Sequence, residues 1–176
     1  MKGLGTIAAS VLLIVIMIPR VTGMTDWQPI EWRGGPAWVS ETASCRAVVS
    51  ETRGRLVHFG PADGGLNLLN EVEAVEPYRA GADSPNWGGH RFWLGPQKTW
   101  VWPPNPDWEF SAARSVEAMG SRLVVTMPDS EDDFPGLVRE YFWEGDRLGC
   151  RVSWSGTDRP FYGMHVFAVP AGTRPV

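Results

Sequence analysis

The run Leu137-Val138-Arg139-Glu140-Tyr141-Phe142-Trp143, the turn Glu144-Gly145-Asp146 and the return Arg147-Leu148-Gly149-Cys150-Arg151-Val152-Ser153-Trp154 decide the fold class. In the returning segment Leu148, Cys150, Val152 and Trp154 fall on one face, and Arg147, Arg151 and Ser153 fall on the other. A period of two on either side of a glycine-bearing turn predicts a hairpin with one buried face. The same pattern recurs outward from this unit. Arg122 to Met127 reads as a strand with Leu123, Val125 and Met127 facing one way. Cys45 to Val49 and Arg55 to Phe59 read as strands around Glu51-Thr52-Arg53-Gly54, and Phe161 to Val169 as a last strand. No long apolar stripe of period 3.6 and no internal repeat interrupts this sequence of short runs and turns. The expected fold class is all-β.

The first residues have a different character. Lys2 precedes an almost unbroken apolar run from Leu4 to Ile18, broken by Pro19 and Arg20 and followed by Val21-Thr22-Gly23. A positive start, a short apolar core and small residues after it form the secretory signal pattern. The run falls short of the roughly 20 residues a spanning helix needs. Residues 1–23 are therefore expected to be removed, leaving no stable membrane anchor and a mature domain over 24–176 in a periplasmic or secreted location. Cleavage takes away Lys2 and Arg20 and no acid, so the formal net charge moves from −4 to −6. An acidic chain without a basic run argues against nucleic acid as a partner. In an oxidising compartment Cys45 and Cys150 can form a disulfide, or remain two small buried apolar groups on separate strands. They have no C-x-x-C spacing.

Between Tyr78 and Asp107 the chain holds Pro85, Pro96, Pro103, Pro104, Pro106 and four of its ten tryptophans. Proline excludes central strands from much of this stretch. Within it, Asn86-Trp87-Gly88-Gly89-His90-Arg91-Phe92-Trp93 sets an amide, an imidazole, a guanidinium and two indoles around paired glycines. That set suits a polyhydroxylated ring, with directed hydrogen bonds to hydroxyls and an indole over the C–H face. It equally suits a glycine corner with Arg91 in an ion pair and the tryptophans in the core. Trp100 to Trp108 can form an aromatic wall or pack over a sheet end. Asp129, Glu131, Asp132 and Asp133 lack the EF-hand pattern and read as a solvated acidic turn. His58 is expected to pack at a strand end, and His165 within a strand. No G-x-S-x-G, H-E-x-x-H or phosphate-binding glycine loop occurs, and no cofactor or metal is expected.

Four segments in order resemble the galactose mutarotase-like (aldose 1-epimerase-like) superfamily, in particular a bacterial branch of unknown function. They are Arg53 to Gly60 with Asn67-Leu68-Leu69; Asn86 to Trp93 with Gly95-Pro96-Gln97, similar to a G-G-x-R-x-W-x-x-P segment; Trp100 to Pro106, similar to a W-x-W-P-P run; and Gly136 to Val169. The resemblance implies a large antiparallel β-sandwich of the supersandwich type with a sugar-sized cleft on a concave face, of which this chain would hold the N-terminal part. It also implies a carboxylate base and a histidine acid for mutarotation. His165 falls near the family's central histidine, but its surroundings depart from the N-H-x-Y-F-N-L pattern. His90 stands beside Arg91, which matches the family's arginine.

Three functional readings follow. The first is an exported carbohydrate-binding protein using Asn86, His90, Arg91, Trp93 and Trp102. The second is an aldose 1-epimerase with His90 or His165 as its catalytic acid. The third is a structural or partner-binding sandwich whose tryptophans are core. Oligomeric state is left open by the sequence.

Overall fold

The computed structural model describes residues 25–71, 87–96, 105–130, 136–155 and 162–170. The proposed signal segment, Asn86, Trp102 and Glu131 to Asp133 lie outside these residues. The described chain is all-β, with three antiparallel sheets and one five-residue helix. The first sheet runs in the order β1 (Gln28–Trp32), β2 (Gly35–Glu41), β3 (Cys45–Ser50), β4 (Arg55–Pro61). A second pairs β5 (His90–Gly95) with β10 (Tyr162–Phe167). The third orders β6 (Ser115–Met119), β7 (Arg122–Thr126), β8 (Gly136–Glu144) and β9 (Arg147–Ser155). The helix α1 (Pro106–Phe110) lies between β5 and β6 in the chain.

Local chemistry explains the turns. Arg33 and Gly34, at φ 51° and 76°, connect β1 to β2, the double positive φ of a two-residue hairpin whose twist suits its strands. Glu144 pairs with Arg147 across Gly145, at φ 61°, so the hairpin read from the sequence closes where the alternation predicts. Two elements were hidden. Pro29 and Pro36 obscure the β1–β2 hairpin, and they sit opposite Trp38 and Glu31 without interrupting the register. β5 lies inside the proline-rich stretch because the six residues from His90 to Gly95 contain none; Pro96 follows immediately. β5 belongs to a two-stranded sheet and is not a central strand, so it is compatible with the expectation that proline keeps central strands from much of that region.

The core forms between the sheets. On β8, Leu137, Arg139, Tyr141 and Trp143 all point inward and are buried, alternating with half-buried Val138, Glu140 and Phe142. They meet Ala47, Val49 and Leu56 of the first sheet, Phe92 and Leu94 of β5, and Leu123 and Val125 of β7 in one apolar cluster. Alternation on β3 turns Ala47 and Val49 to this core and Val48 to a smaller cluster with Ala37. Opposite them Val49 pairs with Leu56 and Val48 with His58, so Val57 is the extra residue of β4 and joins the smaller cluster, while Leu56 and Phe59 both reach the core. A bulge of this kind redirects side chains without ending a strand. Cys45 and Cys150 are free thiols.

Candidate functional site

The glycine pair sets where β5 begins. Gly88 and Gly89 adopt φ 66° and 73°, a conformation costly for other residues. A Cβ on Gly88 would lie 1.7 Å from the Asn70 carbonyl oxygen, and one on Gly89 would lie 2.5 Å from that of Leu56. The pair therefore serves close backbone packing. Asn70 ties both strands of the small sheet, accepting from Gly89 N at 2.9 Å and donating to Ala168 O at 2.8 Å.

Alternation along β5 then divides its side chains between two environments. Arg91 and Trp93 turn to Glu109 of α1. Arg91 Nε lies 2.8 Å from Glu109 Oε2, and Trp93 Nε1 donates to Oε1 at 2.9 Å. Arg55, fully buried, joins through Nη1 at 3.4 Å and through Nη2 to the Glu109 carbonyl. The Arg91 guanidinium also lies 4.9 Å from the centre of the Trp93 ring. Burial alone would raise the Glu109 pKa, but Arg55, Arg91 and the Trp93 indole outweigh it and hold the carboxyl below its ordinary range. The helix that delivers Glu109 starts at Asn105, whose side chain accepts from Trp108 N at 3.2 Å, with Pro106 at the first helical position. That Asn-Pro-Asp signature was available in the sequence, but nothing there pointed to Glu109 as the partner of Arg91.

His90 and Phe92 face the other way. In the β5–β10 register His90 sits opposite Phe167, and Phe92 opposite His165. The two histidines are therefore diagonal neighbours on one face. His90 Nε2 and His165 Nδ1 are 2.8 Å apart, with the rings inclined by 5° and their centres 5.1 Å apart. Those values describe an edge-to-edge contact along the N···N line. Tyr141 OH accepts from Leu56 N at 3.1 Å and lies 3.5 Å from His90 Nδ1. Phe167 lies across the His90 ring at 4.6 Å.

These groups border a hollow of about 300 Å³. Its polar edge is His90, Tyr141, Cys150 and His165; its apolar walls are Leu56, Phe59, Leu69, Leu148 and Phe167. His165, expected to be buried in its strand, is mid-strand but exposed. Burial, followed by the fields of Arg139, His165 and Arg55, pushes His90 down to about 3. Burial and Arg139 lower His165 as well. Burial raises the Cys150 thiol to about 12 and raises Tyr141 too. The hollow is thus edged by neutral groups at pH 7. Ligand atoms of His90, Cys150 and His165 all lie within 4.8 Å of one another.

The sequence-derived site therefore falls into two parts. His90 and His165 come together, whereas Arg91 and Trp93 come together on the opposite face of β5. Cys150 and Glu109 enter the two clusters from β9 and α1, unannounced by any spacing. His58, expected at a strand end, stands within β4 and packs against Trp32 with ring centres 5.5 Å apart. No protein-family model, curated protein or solved structure matches the chain.

Proposed function

We propose that this β domain is an exported binding protein for a small carbohydrate derivative, held in the hollow between the β5–β10 sheet and the β8–β9 hairpin. The observation that carries the reading is the hollow itself, with two hydrogen-bonding imidazoles on one side and aromatic and aliphatic walls on the other. Its volume, about 300 Å³, is at the lower end of the range for small-molecule sites. Phe167 and Phe59 supply ring faces for the C–H patch of a sugar, and His165 offers a directional hydrogen bond from an exposed position. Leu56, Leu69 and Leu148 exceed what a fully hydroxylated ring needs. They favour a glycoside with an apolar aglycone. Arg91 and Trp93 then act from behind, holding β5 in place through Glu109.

Binding is favoured over epimerisation. Among the described residues no carboxylate borders the hollow, and both histidines have depressed pKa values, which suits a neutral acceptor better than a general acid. Calorimetric titration with matched methyl and aryl glycosides, in the presence of a metal chelator, tests the proposal. Aryl glycosides should bind, and His165→Ala and Phe167→Ala should each weaken binding at least tenfold. A folded protein that binds no glycoside of the panel would overturn the reading.

A further inference from the structure

We propose that His90, Cys150 and His165 form a binding site for Cu(I) at the polar edge of the hollow. The inference does not depend on carbohydrate binding. It begins with donor chemistry: two imidazole nitrogens and one thiol sulfur are a soft to borderline set, the kind that selects Cu(I) or Zn(II) over hard cations. The donors come from three strands, β5, β9 and β10, so two sheets clamp the site.

The spacing fits a metal. With zinc–nitrogen bonds of about 2.05 Å and zinc–sulfur bonds of about 2.3 Å, donors around a tetrahedral ion stand roughly 3.3–3.6 Å apart, and trigonal coordination spreads them slightly further. Here the two nitrogens are 2.8 Å apart and no pair exceeds 4.8 Å. The imidazole rings meet edge to edge along the N···N line. Coordination therefore needs them to part by roughly half an ångström and each to tilt by roughly 30° so that both lone pairs converge off that line, with Cys150 moving inward by about 1 Å. His165 is exposed and Cys150 only partly buried, so side-chain rotation can supply these shifts.

Charge selects the ion. Binding breaks the Cys150 S–H bond, the His90–His165 hydrogen bond and the N–H bond of the ring nitrogen that donated it. The thiol proton leaves to solvent, the imidazole proton is exchanged to the other nitrogen of the same ring, and one metal–sulfur and two metal–nitrogen bonds form. No electron is transferred. A thiolate with Cu(I) is neutral overall, whereas a thiolate with Zn(II) keeps one positive charge. Tyr141 pairs directly with Cys150 across β8 and β9, and Arg139 occupies the next inward position of β8. Arg139 is fully buried, with Nε and Nη2 lacking hydrogen-bond partners among the described residues. No carboxylate neutralises it within hydrogen-bonding distance there. A residual positive charge beside this guanidinium is disfavoured in a low-dielectric interior, and a neutral centre is not.

The test uses the full chain, stripped by chelation, reduced and kept free of oxygen and sugar. Cu(I) is titrated in competition with the coloured chelator bicinchoninate, and Zn(II) against a fluorescent zinc chelator. We expect one equivalent of Cu(I) to be withdrawn from bicinchoninate. Cys150→Ser and His165→Ala should each lose at least tenfold in affinity, since even residues outside the ligand set commonly cost that much. Cys45→Ser should bind as the parent does. Circular dichroism establishes that each variant is folded, and the exposed His165 carries the test if Cys150→Ser is not. Failure of the folded parent to withdraw Cu(I), loss that follows Cys45 instead of Cys150, or tighter binding of Zn(II) than of Cu(I) would each overturn the proposal. The glycoside titration is run with chelator present, so either result stands without the other.

Discussion

Arg91 Nε and Glu109 Oε2 lie 2.8 Å apart inside the protein, and the same carboxylate oxygen faces Arg55 Nη1 at 3.4 Å. One carboxylate thus balances two buried guanidinium groups and accepts from the Trp93 indole. Removing it would leave both cations without their shared counter-charge. Breaking a buried ion pair from one side typically costs about 3–5 kcal/mol. Glu109→Ala is expected to lower the urea-unfolding free energy by about that much. His165→Ala, at an exposed position, should change it by less than about 1 kcal/mol. Comparable urea midpoints for the two variants would show that Glu109 does not hold β5.

His58 gives a prediction for pH. Burial, then Arg46 and Arg33, lower its pKa from 6.5, so protonation favours the unfolded chain. The stability contributed by the neutral imidazole is complete above the unfolded value of 6.5 and is lost as pH falls from there toward the folded value. Parent protein should therefore lose stability between pH 7.5 and pH 5.5, and His58→Gln should lose less over that interval. Equal losses of urea-unfolding free energy from pH 7.5 to pH 5.5 in the parent and in His58→Gln would remove His58 from the explanation.

The glycines separate strain from collision. Gly88 and Gly145 both have φ near 60–66°, but only Gly88 faces an obstacle, the Asn70 carbonyl; a Cβ on Gly145 meets nothing within 4 Å. Gly145→Ala should cost about 1–2 kcal/mol, the penalty for a left-handed conformation. Gly88→Ala must also displace backbone and should cost about 3 kcal/mol or more. Thermal melts of the two variants that coincide would contradict the packing assigned to residue 88.

The contrast between strands and sites follows from range. Alternation between Arg147 and Trp154 is local, so β9 and its buried face could be read directly, as could the inward Leu123, Val125 and Met127 near β7. The β1–β2 hairpin escaped because Pro29 and Pro36 carry the usual signal against strands while occupying positions that tolerate them. Site assembly is non-local. His90 and His165 stand 75 positions apart in the chain, and only the β5–β10 register makes them neighbours. Sequence adjacency joined His90 to Arg91, whereas strand geometry sends consecutive side chains to opposite faces. Reading the Asn86 to Trp93 segment as a strand would have separated them, but its flanking prolines and glycines spoke for a loop.

Asn70 grips the start of β5 and the segment just beyond β10 through consecutive backbone hydrogen bonds. A displacement at this residue would carry both imidazoles in the same direction and leave their separation almost unchanged. Such a movement would instead change the distance across the sheets to the sulfur of Cys150, which β9 carries.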